Sequence, residues 1–116
     1  MIFGTFDGLH MGHIHLITQA KALGNTLMTV IARDRRVNEL KGRFPLHHET
    51  ERKNIVGLIS LVDEVTLGHK DNVYACIELH KPDIIALGYD QTHYTQSLEE
   101  ELKKRGFDIE VVRIEP

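Results

Sequence analysis

Short apolar runs alternate with stretches of helical periodicity along the whole chain. Strand-like runs are predicted at five places: 2–6, 27–32, 64–67, 84–87 and 109–114. Between them, apolar residues recur at three- and four-residue spacing in four predicted helices: 12–23, 48–61, 72–80 and 95–105. Strict alternation of strands and helices is typical of a parallel sheet built from βαβ units.

The predicted architecture is α/β, with an open, doubly wound, five-stranded parallel sheet that is Rossmann-like. Because crossovers are right-handed and connections are short, we predict the strand order 3-2-1-4-5. This order reverses between strands 1 and 4, and open α/β sheets bind ligands at such a point, beyond the carboxyl ends of the strands. The loop that carries His10 and His13 is therefore expected to face the loop that carries Asp90.

Size and composition favour one globular domain, residues 1–116. The chain has 116 residues, of which 41% are hydrophobic and 27% are charged, and its formal net charge is −3. This length supports one hydrophobic core but not a second domain. A slightly acidic chain without a Lys/Arg cluster lacks the electrostatic pattern of nucleic-acid-binding proteins. We therefore predict no nucleic-acid partner, and expect any bound phosphate to belong to a small ligand.

The sequence contains no targeting or membrane signal. No apolar run approaches the roughly 20 residues that span a bilayer, and the N-terminus lacks the pattern of a signal peptide. The single cysteine, Cys76, excludes an internal disulfide and fits a reducing compartment. We therefore expect a cytoplasmic protein with no membrane partner.

The clearest chemical signal lies in residues 2–13. A strand-like run is followed by a glycine-bearing turn and by two histidines, His10 and His13, at the start of a predicted helix. A helix N-terminus attracts anions, and histidine adds hydrogen-bond donors and movable positive charge. The pattern predicts a phosphate site. Incidental histidines in a β-turn-α connection are the plainer interpretation.

Residues 4–13, Gly-Thr-Phe-Asp-Gly-Leu-His-Met-Gly-His, resemble the signature of the cytidylyltransferase-like nucleotidylyltransferases, in which GTFD is followed by HxGH. Segments 30–34, 41–45, 62–68 and 81–91 look more like the archaeal-type FAD synthases than like the glycerol-3-phosphate cytidylyltransferases. The latter tend to have an aromatic residue at the position of Gln91, which weakens a cytosine assignment. The resemblance covers essentially the whole chain.

The resemblance implies an enzyme that transfers a nucleoside monophosphate from a nucleoside triphosphate to a phosphorylated small molecule and releases pyrophosphate. AMP transfer from ATP to FMN, giving FAD, is the favoured interpretation. One alternative is a CTP-dependent cytidylyltransferase that acts on glycerol 3-phosphate or a similar sugar or polyol phosphate. The other is a nucleotide-binding module without turnover.

His10 and His13 are predicted to be the catalytic pair, in contact with the triphosphate. The resemblance implies that the nucleotide binds residues at the two strand ends: Thr5, Phe6, His10, Met11, Gly12, His13 and Asp90. Backbone N–H groups near Gly12 and His13 are expected to bind its phosphates. Mg²⁺ is the expected cofactor, with Asp7 as a candidate ligand through water. A plain turn aspartate is the alternative for Asp7.

Four basic residues are weaker candidates for phosphate and acceptor binding: Lys41, Arg43, Arg52 and Arg113. Lys41 and Arg43 lie in a predicted loop that can fold over the acceptor. Arg52 is expected to point from the next helix towards the same rim, and Arg113 to reach the leaving pyrophosphate. A solvated run of charge explains the first three equally well.

Two further expectations concern extent and assembly. Family members continue past the fifth strand into a Ser/Thr-rich segment that grips the triphosphate, so the resemblance implies that this chain lacks the C-terminal segment of the family. The outer strands of an open sheet have no obvious cover, and relatives are commonly homodimers. We therefore predict a homodimer.

Overall fold

The computed structural model describes residues 1–69, 73–89, 91 and 96–116. Within these residues lie five strands and five helices: β1 (Ile2–Gly4), α1 (Met11–Ala22), β2 (Met28–Ile31), α2 (Asp34–Lys41), α3 (Glu49–Gly57), β3 (Glu64–Leu67), α4 (Val73–His80), β4 (Ile84–Leu87), α5 (Gln96–Lys104) and β5 (Glu110–Arg113). All strand pairs are parallel, which confirms the predicted α/β class. Among the described residues, no helix is long and apolar enough to cross a membrane.

The strands form two hydrogen-bonded sheets rather than one. One sheet contains β1, β2 and β3 in that order, and the other pairs β4 with β5. The sheets meet at Met1, whose amino group donates to Ile84 O at 2.8 Å and whose carbonyl accepts from Ala86 N at 3.0 Å. The neighbours 3-2-1 and 4-5 are as predicted. One continuous sheet in the order 3-2-1-4-5 is wrong, because the bonds of Met1 do not extend into a strand ladder between β1 and β4.

The side chains of the strands alternate between two hydrophobic layers. Ile2 of β1 enters the first layer, and the next residue, Phe3, enters the second. Buried side chains of α1 and α3 complete the first layer: Ile17, Ala20 and Val56. Those of α4 and α5 complete the second: Cys76, Ile77, Leu98 and Leu102. Helices therefore pack against the strands on both sides.

Helix α2 was not predicted: it precedes the helix predicted at 48–61, in a stretch where Lys41 and Arg43 were placed in a loop. Val37 is its single buried residue, so the helix has too few apolar positions to produce a clear period. The N–H of Asp34 donates to the carboxylate of Glu49 at 3.0 Å, a cap from a distant residue. The helix ends at Gly42, which has a left-handed φ of 74°.

Several predicted boundaries shift for local reasons. The first strand, predicted at 2–6, ends at Gly4 because Phe6 has a positive φ of 53° that no strand accommodates. The helix predicted at 48–61 ends at Gly57, and turns continue the chain to Val62. Residues 72 and 95, the predicted first residues of the last two helices, lie outside the described residues.

Candidate functional site

Close contacts fix the loop between β1 and α1. Phe6 is 3% exposed and has a left-handed backbone, which is strained for a bulky residue. Its ring fills the space beside Gly4, where a Cβ atom would lie 2.6 Å from the ring. Gly8, with a φ of 75°, supplies a second left-handed residue. The glycines and the phenylalanine of the signature are therefore required by the shape of this loop.

The two histidines cap helix α1 together. The Nδ1 atom of His10 accepts a hydrogen bond from Gly12 N at 3.0 Å, and the Nδ1 atom of His13 accepts one from His10 N at 3.2 Å. The two rings stack with centroids 3.9 Å apart, and the ring of Phe6 lies 5.2 Å from that of His13. A Cβ atom on Gly12 would lie 2.8 Å from His10 Cε1. Only glycine leaves room for this pair.

This cap determines which ring atom can donate. Because each Nδ1 atom accepts an amide hydrogen, the neutral imidazoles carry their proton on Nε2. The N–H group of His13 also bonds His10 O, at 3.0 Å. The amides of Gly12 and His13, which we expected to bind phosphate, are thus already used inside the cap. The imidazole Nε2 atoms are the donors that the histidine pair can offer to an anion.

Asp7 connects this loop to the segment before α3. Its carboxylate accepts hydrogen bonds from Leu46 N at 2.8 Å and His47 N at 3.1 Å. Burial raises the pKa of the Asp7 carboxyl, but these two bonds and the nearby charge of Arg52 outweigh it, so that the pKa lies below its usual value of 3.8. Asp7 is therefore ionised at neutral pH, and its first observable role is to hold residues 46–47.

Arg52 is fully buried and joins three segments of the chain. Its guanidinium donates to Thr5 O at 2.7 Å, to His47 O at 3.0 Å and to the carboxylate of Asp34 at 2.7 Å. The expectation that Arg52 points towards the rim is therefore wrong. A buried cation is tolerated only when it is well paired, and these partners tie the end of β1 to the starts of α2 and α3.

A cleft of about 730 Å³ opens at the carboxyl ends of β1 and β2. It brings together most of the predicted site residues: Thr5, Phe6, Asp7, His10, Met11, Gly12, His13, Lys41 and Arg43. Lys41 and Arg43 belong to residues 40–45, Leu-Lys-Gly-Arg-Phe-Pro, which form the end of α2 and the turn after it. We call residues 40–45 the basic arm. Arg52 and Arg113 do not line the cleft.

The family model described as cytidylyltransferase-like matches residues 1–116. The chain belongs to the cytidylyltransferase-like family. It is thus a nucleotidyltransferase, as the sequence predicted.

Curated relatives of this cytidylyltransferase-like chain confirm the more specific resemblance. The FAD synthase of Thermococcus sibiricus is 44% identical over 112 residues, which cover 96% of this chain and 76% of the relative. The FAD synthase of Methanosarcina barkeri is 45% identical over 111 residues, with 96% and 78% covered. Among solved structures, the lipopolysaccharide core biosynthesis protein from Thermoplasma volcanium GSS1 has a TM-score of 0.95 at 37% identity, with 99% of this chain and 93% of that chain covered.

The loop after β4 is the second strand end at which we predicted nucleotide binding in this family member. Asp90 lies outside the described residues. Its neighbours are held in place: Arg113 Nη1 donates to Gly88 O at 2.7 Å and to Gln91 O at 3.3 Å. In this arrangement Arg113 supports the loop that carries Asp90, and its predicted contact with pyrophosphate stays a prediction.

The sequence did not predict the roles of two residues that hold the site together. The side chain of Gln91 accepts from Gly88 N at 2.7 Å and donates to Phe3 O at 2.8 Å, so it ties the loop after β4 to β1. The guanidinium of Arg33 bonds Gly68 O and Glu49, each at 2.8 Å. Arg33 follows the end of β2, and Gln91 follows the end of β4. A polar side chain at a strand end is the signal that could have identified them.

Proposed function

We propose that this chain transfers AMP from ATP to FMN, forming FAD and releasing pyrophosphate. The observation that carries the proposal is the stacked, capped pair of His10 and His13 at the head of α1, in a chain that is 44% identical to an FAD synthase. The pair presents Nε2–H donors at a helix N-terminus, where the helix dipole also favours negative charge.

The reaction needs little covalent chemistry from the protein. A phosphate oxygen of FMN attacks the α-phosphorus of ATP, the new P–O bond forms, and the bond between the α-phosphorus and the pyrophosphate oxygen breaks. Negative charge grows on the α-phosphate oxygens and on the departing pyrophosphate. Preorganised donors stabilise this charge most effectively, and we assign this role to His10 and His13.

We assign the two substrates to opposite sides of the histidines. The nucleotide is placed between β1 and β4, against Thr5, Phe6, Met11, Gly12 and Asp90, and the imidazoles take the phosphate contacts that the capped amides cannot make. The basic arm follows β2, which pairs with β1 on the side away from β4. Lys41 and Arg43 are therefore assigned to the phosphate of the acceptor.

Mg²⁺ is the proposed metal cofactor. Among the described residues, no three His, Cys, Asp or Glu side chains form a metal-binding group. Mg²⁺ keeps several waters and often binds through one or two carboxylates and the phosphates of the substrate, so the chain needs no complete ligand set of its own. Asp7 fits such a site, because it is ionised, lines the cleft and keeps free lone pairs beside its two amide bonds. The bound ion would neutralise charge on the triphosphate.

One observation keeps cytidylyl transfer as the second candidate: the matching family is described as cytidylyltransferase-like. Pyrophosphate release should be measured for ATP and CTP, each with FMN and with glycerol 3-phosphate. We expect release with ATP and FMN only. Release with CTP and glycerol 3-phosphate would establish the second candidate, and binding without release in every combination would establish a nucleotide-binding module.

The homodimer is also a proposal. Strands β3 and β5 lie at the outer edges of their sheets, and exposed edge strands favour pairing with a further chain. Light scattering at tens of micromolar protein, a concentration that reveals a dimer of moderate affinity, should give the mass of two chains. A mass of one chain would remove the proposal.

A further inference from the structure

The basic arm exposes large apolar side chains inside the cleft. Leu40 is 45% exposed and Phe44 is 63% exposed, and both line the cleft. They flank the two cations in the sequence Leu40-Lys41-Gly42-Arg43-Phe44. Clustered apolar surface beside polar groups is typical of a binding site, and nothing in the assigned chemistry of phosphate transfer uses these two side chains.

The cations of the basic arm differ from the other basic residues around the cleft. Arg33 and Arg36, which also line the cleft, each pair with a carboxylate. Lys41 and Arg43 are exposed, and within the described residues their side chains have no hydrogen-bond or ion-pair partner. Their charges therefore stay available to a ligand.

We infer that the basic arm binds the acceptor through two kinds of contact: Phe44 and Leu40 cover a flat aromatic ring system, while Lys41 and Arg43 hold the phosphate attached to it. The inference rests on the proposed function and deepens it, because it names the side chains that would distinguish FMN from an acceptor without a ring. A polyol phosphate has no ring to cover and would leave Phe44 in water.

Physical chemistry supports separate contacts for the ring and for the phosphate. An aromatic ring that stacks on a planar ligand gains attraction beyond the burial of apolar area, and cations beside the ring secure its charged end. The pattern also separates the acceptor from the nucleotide, because the arm follows β2 whereas the loop of Asp90 follows β4, and β1 with its histidine loop lies between these strands.

The test uses flavin fluorescence anisotropy, with riboflavin as the ring without phosphate and FMN as the ring with phosphate. Each is titrated with the protein in the presence of α,β-methylene-ATP, which cannot transfer AMP. Phe44→Ala should weaken both flavins about tenfold, as loss of a stacking contact predicts. Arg43→Ala should weaken the binding of FMN about tenfold, the size expected for a charge-assisted hydrogen bond. It should change the affinity for riboflavin by less than about twofold, because riboflavin has no phosphate for Arg43 to bind.

Leu46→Ala is the matched control, since Leu46 lies two residues after Phe44, is 87% exposed and does not line the cleft. It should bind both flavins like the wild type. If Phe44→Ala binds flavins like Leu46→Ala, or raises the KM for ATP instead, the inference is wrong.

Turnover by the wild type tests the proposed function separately. If the wild type forms FAD and Phe44→Ala binds flavins as tightly as the wild type, the inference is wrong and the proposed function stands. A wild type that neither binds flavins nor forms FAD would overturn both.

Discussion

The two walls of the cleft are built in opposite ways. On the histidine side, residues 5–13 are fixed by a strained Phe6, by mutual capping of His10 and His13, and by the buried guanidinium of Arg52 beneath Thr5 O. On the other side, the basic arm carries exposed cations and exposed apolar side chains. The fixed wall suits charge stabilisation, which needs donors already in position. The exposed wall suits capture of an acceptor.

The largest expected effect comes from removing a donor of the fixed wall. His10→Ala and His13→Ala should each lower kcat by about 10²–10³, the usual result of losing one preorganised transition-state donor. The KM for ATP should change by only a few fold. Steady-state FAD formation measures both quantities.

His10→Asn separates catalysis from capping. Asparagine is a good N-cap residue, so this variant should keep a melting temperature near that of the wild type, whereas His10→Ala should lose about 1 kcal/mol of stability. Both variants should remain catalytically poor. Normal turnover by His10→Asn would mean that His10 acts only as a helix cap.

The next effect concerns the buried Arg52 side chain, whose hydrogen bonds hold the fixed wall. Arg52→Met keeps volume but leaves Thr5 O, His47 O and the carboxylate of Asp34 without their donor. We expect a loss of about 3 kcal/mol in the free energy of unfolding, or a fall in Tm on the order of 10 °C for a chain of this size.

Arg35→Met makes the same chemical change at a site whose side chain is 90% exposed, and should shift Tm by no more than a degree or two, as surface substitutions usually do. Thermal unfolding followed by circular dichroism compares the two. Equal Tm values would show that the Arg52 network does not hold the fixed wall.

Changes in the exposed wall should alter acceptor binding alone. Lys41→Ala and Arg43→Ala should each raise the KM for FMN about tenfold, the size expected for a charge-assisted hydrogen bond, with the KM for ATP and the Tm nearly unchanged. Arg35→Ala, on the helix that ends at Lys41 but outside the cleft, should change neither KM. A rise in the KM for ATP instead would place the nucleotide on the basic arm.

The smallest expected effect is a loss of stability at low pH that depends on Asp7. The pKa of Asp7 is depressed in the folded state, so the unfolded chain binds more protons at low pH, and stability falls as pH drops below the usual value of 3.8. The contribution is fully present above that range. Asp7→Asn lacks it and should lose fewer degrees of Tm than the wild type between pH 6 and pH 3, whereas Asp108→Asn, at an exposed position, should follow the wild type. If Tm falls equally with pH in all three proteins, this role of Asp7 is contradicted.

The apolar pattern predicted the parts of the fold that depend on burial. Runs such as 27–32 and 84–87 form strands because both faces are covered by helices. Helix α2 was missed because it buries one residue and is capped by Glu49 from another segment. The division into two sheets depends on which backbone groups of Met1 and β1 bond β4, which no periodicity encodes.

The site residues also divide into those that a local motif predicts and those whose contacts form only in the folded chain. His10 and His13 were predicted from a local motif, because a helix start makes its own anion site. The burial of Arg52 could not be predicted, since its partners Thr5, Asp34 and His47 converge only in the folded chain. The sequence showed a cation near the site but not whether its charge was already paired.

The most direct test of the account is a chemical-quench experiment with ATP labelled at the α-phosphate, FMN and Mg²⁺. The wild type should move the label from ATP into FAD, with one pyrophosphate released per FAD formed. The double variant His10→Ala/His13→Ala should still bind ATP but form FAD at least about 100-fold more slowly. Label that stays in ATP with the wild type, or appears in FAD equally fast with the double variant, would contradict it.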